Sequence, residues 1–302
     1  MLQKAGSVCV RVDGSGILDK FSLIKLFFWK KRIIWEVHGF PEENHKAHVD
    51  RSRRLLSAKI NFRRKALSLF VSKYLFVTKE LEKFSRQKLL PRESVIINNF
   101  FPSILFPKKT SIPLSENLLT EHVPNKERVF KVVWTGNAKL SWQGLSILEK
   151  VAKKIYRVDP TITFIVAGLE SLERFSWTKN IISLGFLDKK ASLDLVSSCD
   201  VGLALYTKPP HTPFYFSPLK VLDYMVLKKP IIATNFRTVR GLVGGLDNAL
   251  ITNNEVSDIV RKVILLKRNN KLRKKLRENA YSEVRKRHNG SEAIILYRAV
   301  FH

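Results

Sequence analysis

Residues 217–223 place a cation and a carboxylate at the start of a predicted helix. Ser217 is a favoured N-cap and Pro218 suits the first helical position, so the helix is expected to open there. Lys220 falls in its first turn and Asp223 follows one turn later. Free backbone N–H groups and the helix dipole favour a phosphate at such a start, and Lys220 adds a full positive charge. Asp223 can accept hydrogen bonds from a ribose diol, so the pattern predicts a site for a nucleoside diphosphate.

Two apolar runs flank this helix and determine where its start would lie. Residues 201–205 and 231–234 are predicted to be buried strands, and residues 228–230 end the helix with two cations and a proline. A loop at the carboxyl end of a parallel strand presents the next helix start to a ligand. The alternative interpretation is an ordinary strand–helix–strand unit that binds nothing.

Short apolar strands alternate with helices through the second part of the chain. Strands are predicted at residues 129–134, 162–167, 181–184, 201–205 and 231–234, and helices at 144–158, 193–198, 218–227 and, twice, within 261–288. Such alternation indicates an α/β fold with a parallel sheet covered on both faces. Pro, Ser, Asn and charged residues at 107–128 indicate a linker before it.

The first part of the chain carries predicted strands at residues 33–39 and 94–98, and residues 74–81 are predicted to begin as a strand and continue into a helix. Glu36 and His38 lie near the end of the first, and the two-residue period of a strand puts both on one face. His38 is the candidate for chemistry here. The alternative is a structural histidine at a strand end, whose ring nitrogens form hydrogen bonds with nearby backbone groups.

Length and cysteine content set the broad class. A chain of 302 residues with 45% hydrophobic residues can form about two domains. Cys9 and Cys199 are too few for a disulfide framework, and both are expected to be packed thiols in a reducing compartment. No signal peptide is expected, and no run reaches the roughly 18 apolar residues of a membrane-spanning helix.

The net charge of +28, with pI ≈ 10.2, indicates an anionic partner. An anionic membrane surface is favoured over nucleic acid, because zinc-ligand spacing, an RNA-recognition aromatic motif and a clear helix-turn-helix are all missing from the sequence. Residues 21–35 mix large apolar side chains with cations. They form either an interfacial helix or, before a buried strand at 33–37, an ordinary helix and turn.

The segment SPLKVLDYMVLKKPIIAT resembles the donor site of retaining GT-B glycosyltransferases of family 4, also called glycosyl transferases group 1. The resemblance implies a GT-B fold of two Rossmann-like domains with parallel sheets. It assigns the donor ribose to Asp223, where the family usually has Glu, and the diphosphate to Ser217, Pro218, Leu219 and Lys220. A second acidic residue of the family falls at Tyr215, so that contact to the donor sugar is missing or replaced.

Other segments resemble the same family in order and spacing. VVWTGNAKLSWQGLSIL resembles the first strand and glycine turn of the donor domain, which implies donor contacts from Gly136, Asn137 and Lys139. The family often has two cations near this turn, and this sequence has the uncharged Asn137 and Gln143 at those two positions. FIVAGLE and ISLGFLDKK resemble later strand ends, and they add Gly168 and Phe186 to the implied donor site.

The resemblance also implies the domain organisation. Residues 1–110 would be an acceptor-side domain that lacks its first strands, 111–128 a linker, 129–285 the donor domain, and 286–302 a C-terminal helix that packs on the first domain. A family histidine near the cleft can hydrogen-bond the transferred sugar, which gives His38 its implied role. Glu36 would orient it or help to receive the acceptor.

The resulting hypothesis is a retaining transferase that moves a sugar from a nucleoside diphosphate sugar to a saccharide or lipid-linked acceptor of the cell envelope. It would work on the cytoplasmic face of an anionic membrane, with Lys220 and His38 as catalytic residues and without a metal or other cofactor. Two alternatives stay open. One is a truncated, non-catalytic relative that binds a nucleotide sugar or scaffolds a membrane assembly, and the other is a sugar-nucleotide epimerase.

Overall fold

The computed structural model describes residues 7–12, 32–40, 51–102, 129–169, 179–209 and 213–301. These residues divide into two compact units. The first holds the described residues up to Asn99, the segment Lys208–Ser217 and the C-terminal residues from Ser291, and the second holds Phe100–Thr207 and Pro218–Gly290. The predicted linker at 111–128 and the predicted helix that precedes the strand at 33–37 lie outside the described residues.

The elements follow one another as helix and strand through both units. In chain order they are β1 (Ser7–Val12), β2 (Arg32–Val37), α1 (Arg51–Leu67), β3 (Val71–Phe76), α2 (Lys79–Ser85), β4 (Glu93–Ile96), β5 (Phe130–Thr135), α3 (Leu145–Val158), β6 (Ile162–Ala167), β7 (Ile181–Ser183), α4 (Lys189–Ser198), β8 (Val201–Ala204), α5 (Leu219–Val226), β9 (Ile231–Thr234), α6 (Arg237–Val243), β10 (Leu250–Thr252), α7 (Val256–Arg268), α8 (Asn270–Arg287) and α9 (Ser291–Phe301). Short 3-10 helices at Ser68–Phe70 and Ser141–Gln143 follow α1 and precede α3.

The first unit is built on a parallel sheet whose described strands lie in the order β1-β2-β3-β4. Its core contains Ile33, Trp35 and Val37 of β2, which alternate with residues of the other face. Helix α9 belongs to this unit, and the guanidinium of Arg32 donates to the carbonyl of Val300 at 3.0 Å. The C-terminal helix therefore completes the first unit.

The second unit is built on a parallel sheet with the order β10-β9-β8-β5-β6-β7. Starting from β5, the chain adds β6 and β7 on one side, then crosses back to add β8, β9 and β10 on the other. The strand order reverses between β5 and β8, which is where ligands bind in open parallel sheets. Both sheets confirm the predicted α/β fold with parallel strands.

Local details differ from the sequence expectations. Pro218 is the N-cap residue of α5, with φ −72° and ψ 111°, so the expected N-cap at Ser217 is wrong. The ψ of Pro218 is extended rather than helical, so the first helical residue is Leu219. Helix α4 begins at Lys189 because the Asp188 carboxylate accepts the Ala191 N–H at 2.7 Å. Helices α1 and α6 and strand β10 were not predicted.

The two cysteines differ in burial. Cys199 is buried, as expected, and this burial raises the pKa of its thiol to about 12. Cys9 is exposed, so the expectation that both are packed is wrong for this residue. Among the described strands, β1 lies at an edge of its sheet, which leaves this side chain less covered than one on a central strand.

Strands β5 and β8 separate towards their carboxyl ends. Their pairing is short, with Val132 opposite Val201 and Val133 opposite Gly202. On its other side β5 pairs with β6 along its whole length. The separation opens a crevice at the place where the strand order reverses.

The Tyr224 side chain of α5 places its hydroxyl between β5 and β8, where the two strands separate. Its hydroxyl accepts the Thr135 N–H at 3.3 Å and lies 3.4 Å from the carbonyl oxygens of Val133 and Leu203. A Cβ added at Gly202 would lie 2.4 Å from the Tyr224 ring, so β8 needs a glycine there. Tyr224 thus fixes α5 against the point where β5 and β8 part.

Replacing Gly202 should therefore destabilise the fold. We expect Gly202→Ala to lower the free energy of unfolding by about 1–3 kcal/mol, because the methyl group overlaps the Tyr224 ring. Gly241 is the matched control, since a Cβ there meets nothing within 4 Å. Gly241→Ala in helix α6 should be neutral or stabilising by up to about 1 kcal/mol. Urea denaturation measures both, and equal stability of the two variants would contradict the packing of Tyr224 on Gly202.

Candidate functional site

The ammonium group of Lys220 is buried beneath two aromatic rings. The residue is 7% exposed, and its Nζ lies 4.3 Å from the centre of the Trp134 ring and 5.1 Å from that of Tyr206. It has no hydrogen-bond partner among the described residues. Burial holds the pKa of Lys220 well below its ordinary value, while the two rings favour the cation. A bound anion would supply the missing partner.

The turn at Gly136 lies directly beside this ammonium. A Cβ added at Gly136 would stand 2.9 Å from Lys220 Nζ, 2.8 Å from Gln143 Oε1 and 2.9 Å from the Trp134 ring. The buried Oε1 of Gln143 also lacks a hydrogen-bond partner within the described part of the chain. We call Trp134, Gly136, Gln143, Tyr206 and Lys220 the Lys220 cluster.

The glycine turns after β5, β6 and β7 are linked by backbone hydrogen bonds. Gly136 N–H donates to Ala167 O at 3.0 Å, Ala138 N–H to Gly168 O at 3.0 Å, and Gly168 N–H to Gly185 O at 2.6 Å. Gly168 has φ 109°, and a Cβ there would lie 1.6 Å from the Gly136 carbonyl oxygen. Only glycine permits this approach, so the three turns form one rigid edge.

The Lys220 cluster lies at the reversal of strand order. Trp134 and Gly136 come from the carboxyl end of β5, Tyr206 follows β8, and Lys220 begins the helix after β8. The loops after these two strands are joined, since Thr207 N–H donates to Trp142 O at 2.9 Å. A phosphate at this place would meet the start of α5, the Lys220 ammonium and a glycine turn together.

Asp223 lies one turn further along α5 and is 9% exposed. Burial raises the pKa of its carboxyl, and the Lys189 ammonium opposes this by donating to Oδ1 at 2.5 Å. Lys189 begins helix α4, and its side chain is 61% exposed. In the sequence, Lys189 is one residue of the motif ISLGFLDKK and had no predicted role of its own. Its contact with Asp223 is seen only in the tertiary structure.

Several predicted site residues lie on the surface of the second unit. Asn137 and Lys139 are exposed, and the Asn137 side chain accepts the Lys139 N–H at 3.0 Å. Leu219 is 56% exposed and Phe186 55% exposed. Pro218 is buried at the start of α5. The structure thus brings Gly136, Gly168 and Lys220 close together. The exposed residues of this set lie on the surface of the same unit.

Tyr215 and Ser217 belong to the first unit. Tyr215 is fully buried in that unit's core, where its ring lies 5.3 Å from Phe84 and its carbonyl accepts the Thr78 hydroxyl at 2.6 Å. The carbonyl of Ser217 accepts the Asn99 amide at 2.9 Å. The structure therefore places Tyr215 in a hydrophobic core and not in the Lys220 cluster.

His38 is paired with a carboxylate at the end of β2. Its Nε2 lies 3.0 Å from Glu36 Oε1, and the same oxygen accepts the hydroxyl of Tyr297 at 3.1 Å. Tyr297 is on α9. A residue far along the chain therefore donates a hydrogen bond to the carboxylate that lies beside the histidine. A carboxylate beside one ring nitrogen favours one orientation of the histidine ring. No sequence signal pointed to Tyr297.

The described residues contain no group of three or more His, Cys, Asp and Glu side chains that could hold a metal ion. The expectation of transfer without a metal stays a prediction.

Comparisons with known proteins bear on the family and the fold. A sequence model of the family "Glycosyl transferases group 1" matches residues 123–283. The fold is similar to sucrose-phosphate synthase of Thermosynechococcus elongatus, with a TM-score of 0.71 and 13% identity over 97% of this chain and 73% of that one. It is similar to a glycosyltransferase of Rickettsia africae ESF-5, with a TM-score of 0.66 and 12% identity over 99% and 98%. It is also similar to HepE of Anabaena in complex with UDP and glucose, with a TM-score of 0.66 and 17% identity over 92% and 74%.

At such identities these likenesses establish the fold, which is GT-B as the resemblance implied. No match to the chain is found among curated protein sequences.

The buried ammonium predicts a pH-dependent stability effect. The unfolded chain keeps the Lys220 proton up to an ordinary pKa of about 10.4, while the folded chain loses it at lower pH. Between the pKa of Lys220 in the folded chain and its higher pKa in the unfolded chain, the contribution of this residue to the free energy of unfolding therefore rises with pH. We expect Lys220→Met to be more stable than the wild type at about pH 7, by about 1 kcal/mol or more, and the difference to shrink towards about pH 10.

Urea denaturation across that range measures the effect. The control is Lys274→Met, which replaces an exposed lysine of α8. A stability difference for Lys220→Met that does not change with pH would contradict a buried, unpartnered ammonium.

Proposed function

Since the chain belongs to the glycosyl transferases group 1 family, we propose that it transfers a sugar from a nucleoside diphosphate sugar to a saccharide acceptor with retention of configuration. The observation that carries this proposal is the Lys220 ammonium, which is buried where the strand order reverses and has no hydrogen-bond partner among the described residues. A diphosphate in the crevice would accept its hydrogen bonds. The absence of a side chain at Gly136 lets the backbone turn lie beside the Lys220 ammonium, since a Cβ there would stand 2.9 Å from Nζ.

In this proposal the second unit holds the donor. Asp223 binds the ribose diol, and Lys189 moves from Asp223 towards the phosphates or the solvent as the ribose arrives. Phe186, exposed after β7, offers an aromatic face to the base, and Asn137 and Lys139 lie on the exposed turn after β5. The role of Lys220 is to stabilise charge on the leaving diphosphate, which grows in the transition state.

The transfer step needs little from a protein base. The acceptor hydroxyl oxygen bonds to the anomeric carbon as the bond from that carbon to the diphosphate oxygen breaks, and the bonding electrons leave with the diphosphate. The hydroxyl proton passes to an oxygen of the leaving diphosphate. His38, whose Nε2 faces Glu36, hydrogen-bonds a hydroxyl group of the transferred sugar through its other ring nitrogen. No metal takes part in this proposal.

We further propose that the acceptor is lipid-linked or belongs to the cell envelope, and that the protein meets it on the cytoplasmic face of a membrane. A net charge of +28 supports this location, because anionic headgroups attract a basic protein. The second candidate function is a non-catalytic protein that binds a nucleotide sugar. It is favoured by one observation, the burial of Tyr215 in a core at the position where the family has an acidic donor contact.

Donor binding is the first test. We expect ligand-detected NMR to show binding of one member of a set of UDP-, GDP- and ADP-sugars, UDP-glucose among them. Asp223→Ala and Lys220→Met should each weaken it at least about tenfold, because each removes a group that contacts the nucleotide. The control is Asp247→Ala, which removes an aspartate that is 78% exposed. If the folded wild type binds none of these nucleotides, the proposed function is wrong.

Donor hydrolysis by water separates a transferase from a binding protein without knowledge of the acceptor. We expect slow release of the nucleoside diphosphate from the bound donor, reduced at least about tenfold in His38→Ala while donor binding is unchanged. Tyr297→Phe should give a smaller loss, because Tyr297 acts through Glu36. A wild type that binds the donor and neither hydrolyses nor transfers it would favour the second candidate.

A further inference from the structure

Helix α1 of the first unit exposes apolar side chains and buries polar ones. Leu55 is 65% exposed and Phe62 74% exposed, and Leu69, just after the helix, is 60% exposed. Arg64 and Ser57 on the opposite side are 4% and 7% exposed. A spacing of seven residues is close to two helical turns, so Leu55 and Phe62 lie on one outward side of α1. Leu69 extends the exposed apolar surface in the 3-10 helix that follows.

The orientation of α1 is fixed by its buried side. The Arg64 guanidinium donates to the Gly39 carbonyl at 3.1 Å and lies 5.6 Å from the centre of the Phe40 ring. Ile60, one turn earlier, is 8% exposed. Turning the helix to bury Phe62 would break the Arg64 contacts and leave a buried guanidinium without them, which is costly. The outward apolar stripe is therefore a stable property of the folded unit.

Cations surround the outward stripe. Lys59, Arg63 and Lys65 are all exposed, and the helix has no acidic residue. Lys59 lies one turn from both Leu55 and Phe62, so charge and apolar surface occupy the same side. We call Leu55, Lys59, Phe62, Arg63 and Leu69 the α1 surface.

The chemistry of the α1 surface selects its partner. A second copy would bring two basic helices together, and their like charges repel. Nucleic acid would be bound by the cations but would leave the three large apolar side chains in water. An anionic bilayer accommodates both, because apolar side chains enter the acyl boundary while Lys and Arg remain at the phosphates.

We propose that the α1 surface docks the protein on an anionic lipid bilayer, with α1 lying parallel to the membrane. The inference deepens the membrane location in the proposed function and does not depend on the donor chemistry. From Leu55 to Leu69 the surface extends about 20 Å, enough to contact several headgroups. None of the helices that the structure describes is long and apolar enough to cross a membrane.

Vesicle co-sedimentation tests the proposal with the full chain. We expect at least about tenfold stronger partition onto phosphatidylcholine vesicles that contain phosphatidylglycerol than onto phosphatidylcholine alone, and weaker partition as salt is raised. The variant Phe62→Ser with Leu69→Ser should lose at least about tenfold in partition. Lys59→Gln with Arg63→Gln should lose less, and only with anionic vesicles.

The matched control is Leu246→Ser with Ile295→Ser, which replaces apolar residues that are 76% and 66% exposed elsewhere. Its partition should equal that of the wild type. Equal losses in the two serine variants, or no loss in either, would overturn the proposal. So would a dimer seen by light scattering without vesicles that Phe62→Ser abolishes, since a second copy would then cover the surface.

Nucleotide binding of every variant is measured beside its partition. We expect the α1 variants to bind the donor as the wild type does, because α1 lies outside the residues assigned to the donor. Loss of vesicle binding with intact nucleotide binding supports the docking surface. Intact docking in a chain that binds no nucleotide would instead disprove the proposed function alone.

Discussion

The burial of the Lys220 ammonium is the interaction on which the proposed donor site depends. A lysine can be buried without a partner only where its surroundings partly compensate, and here Trp134 and Tyr206 present their ring faces to it. In the proposed function, a bound diphosphate would offset the remaining cost. Stability and binding are therefore opposed in this residue, since the charge that weakens the folded chain is the charge that would hold a diphosphate.

The crevice that receives this charge arises from the separation of β5 and β8. Tyr224 holds the two strands apart from below, and it fits only because β8 carries Gly202 at that point. Tyr224 and Lys220 are four residues apart on α5, so the residue that anchors the helix also places the ammonium above the gap. The packing of one helix thereby connects the reversal of strand order to the chemistry proposed for it.

The first unit contributes a different kind of surface. Its core takes in Tyr215 from the segment that precedes α5, and its helix α9 brings Tyr297 to the Glu36–His38 pair. Its helix α1 turns leucine and phenylalanine outward because Arg64 is held inward by Gly39. The unit thus combines a histidine that lies beside a carboxylate with a basic helix face that exposes apolar side chains.

The sequence alone determined the features that depend on neighbours along the chain. It indicated the alternating strands and helices of the second unit, the glycine turns at strand ends, and a helix that carries Lys220 and Asp223 about one turn apart. These features could be predicted because periodicity and turn chemistry are local. Only the tertiary structure decided which residues surround them. The rings over Lys220, the lysine on Asp223 and the tyrosine on Glu36 come from distant positions, and the sides of α1 are set by contacts with Gly39 and Phe40 rather than by its own hydrophobic pattern. These contacts follow from long-range packing, whose free energy no segment of the sequence contains by itself.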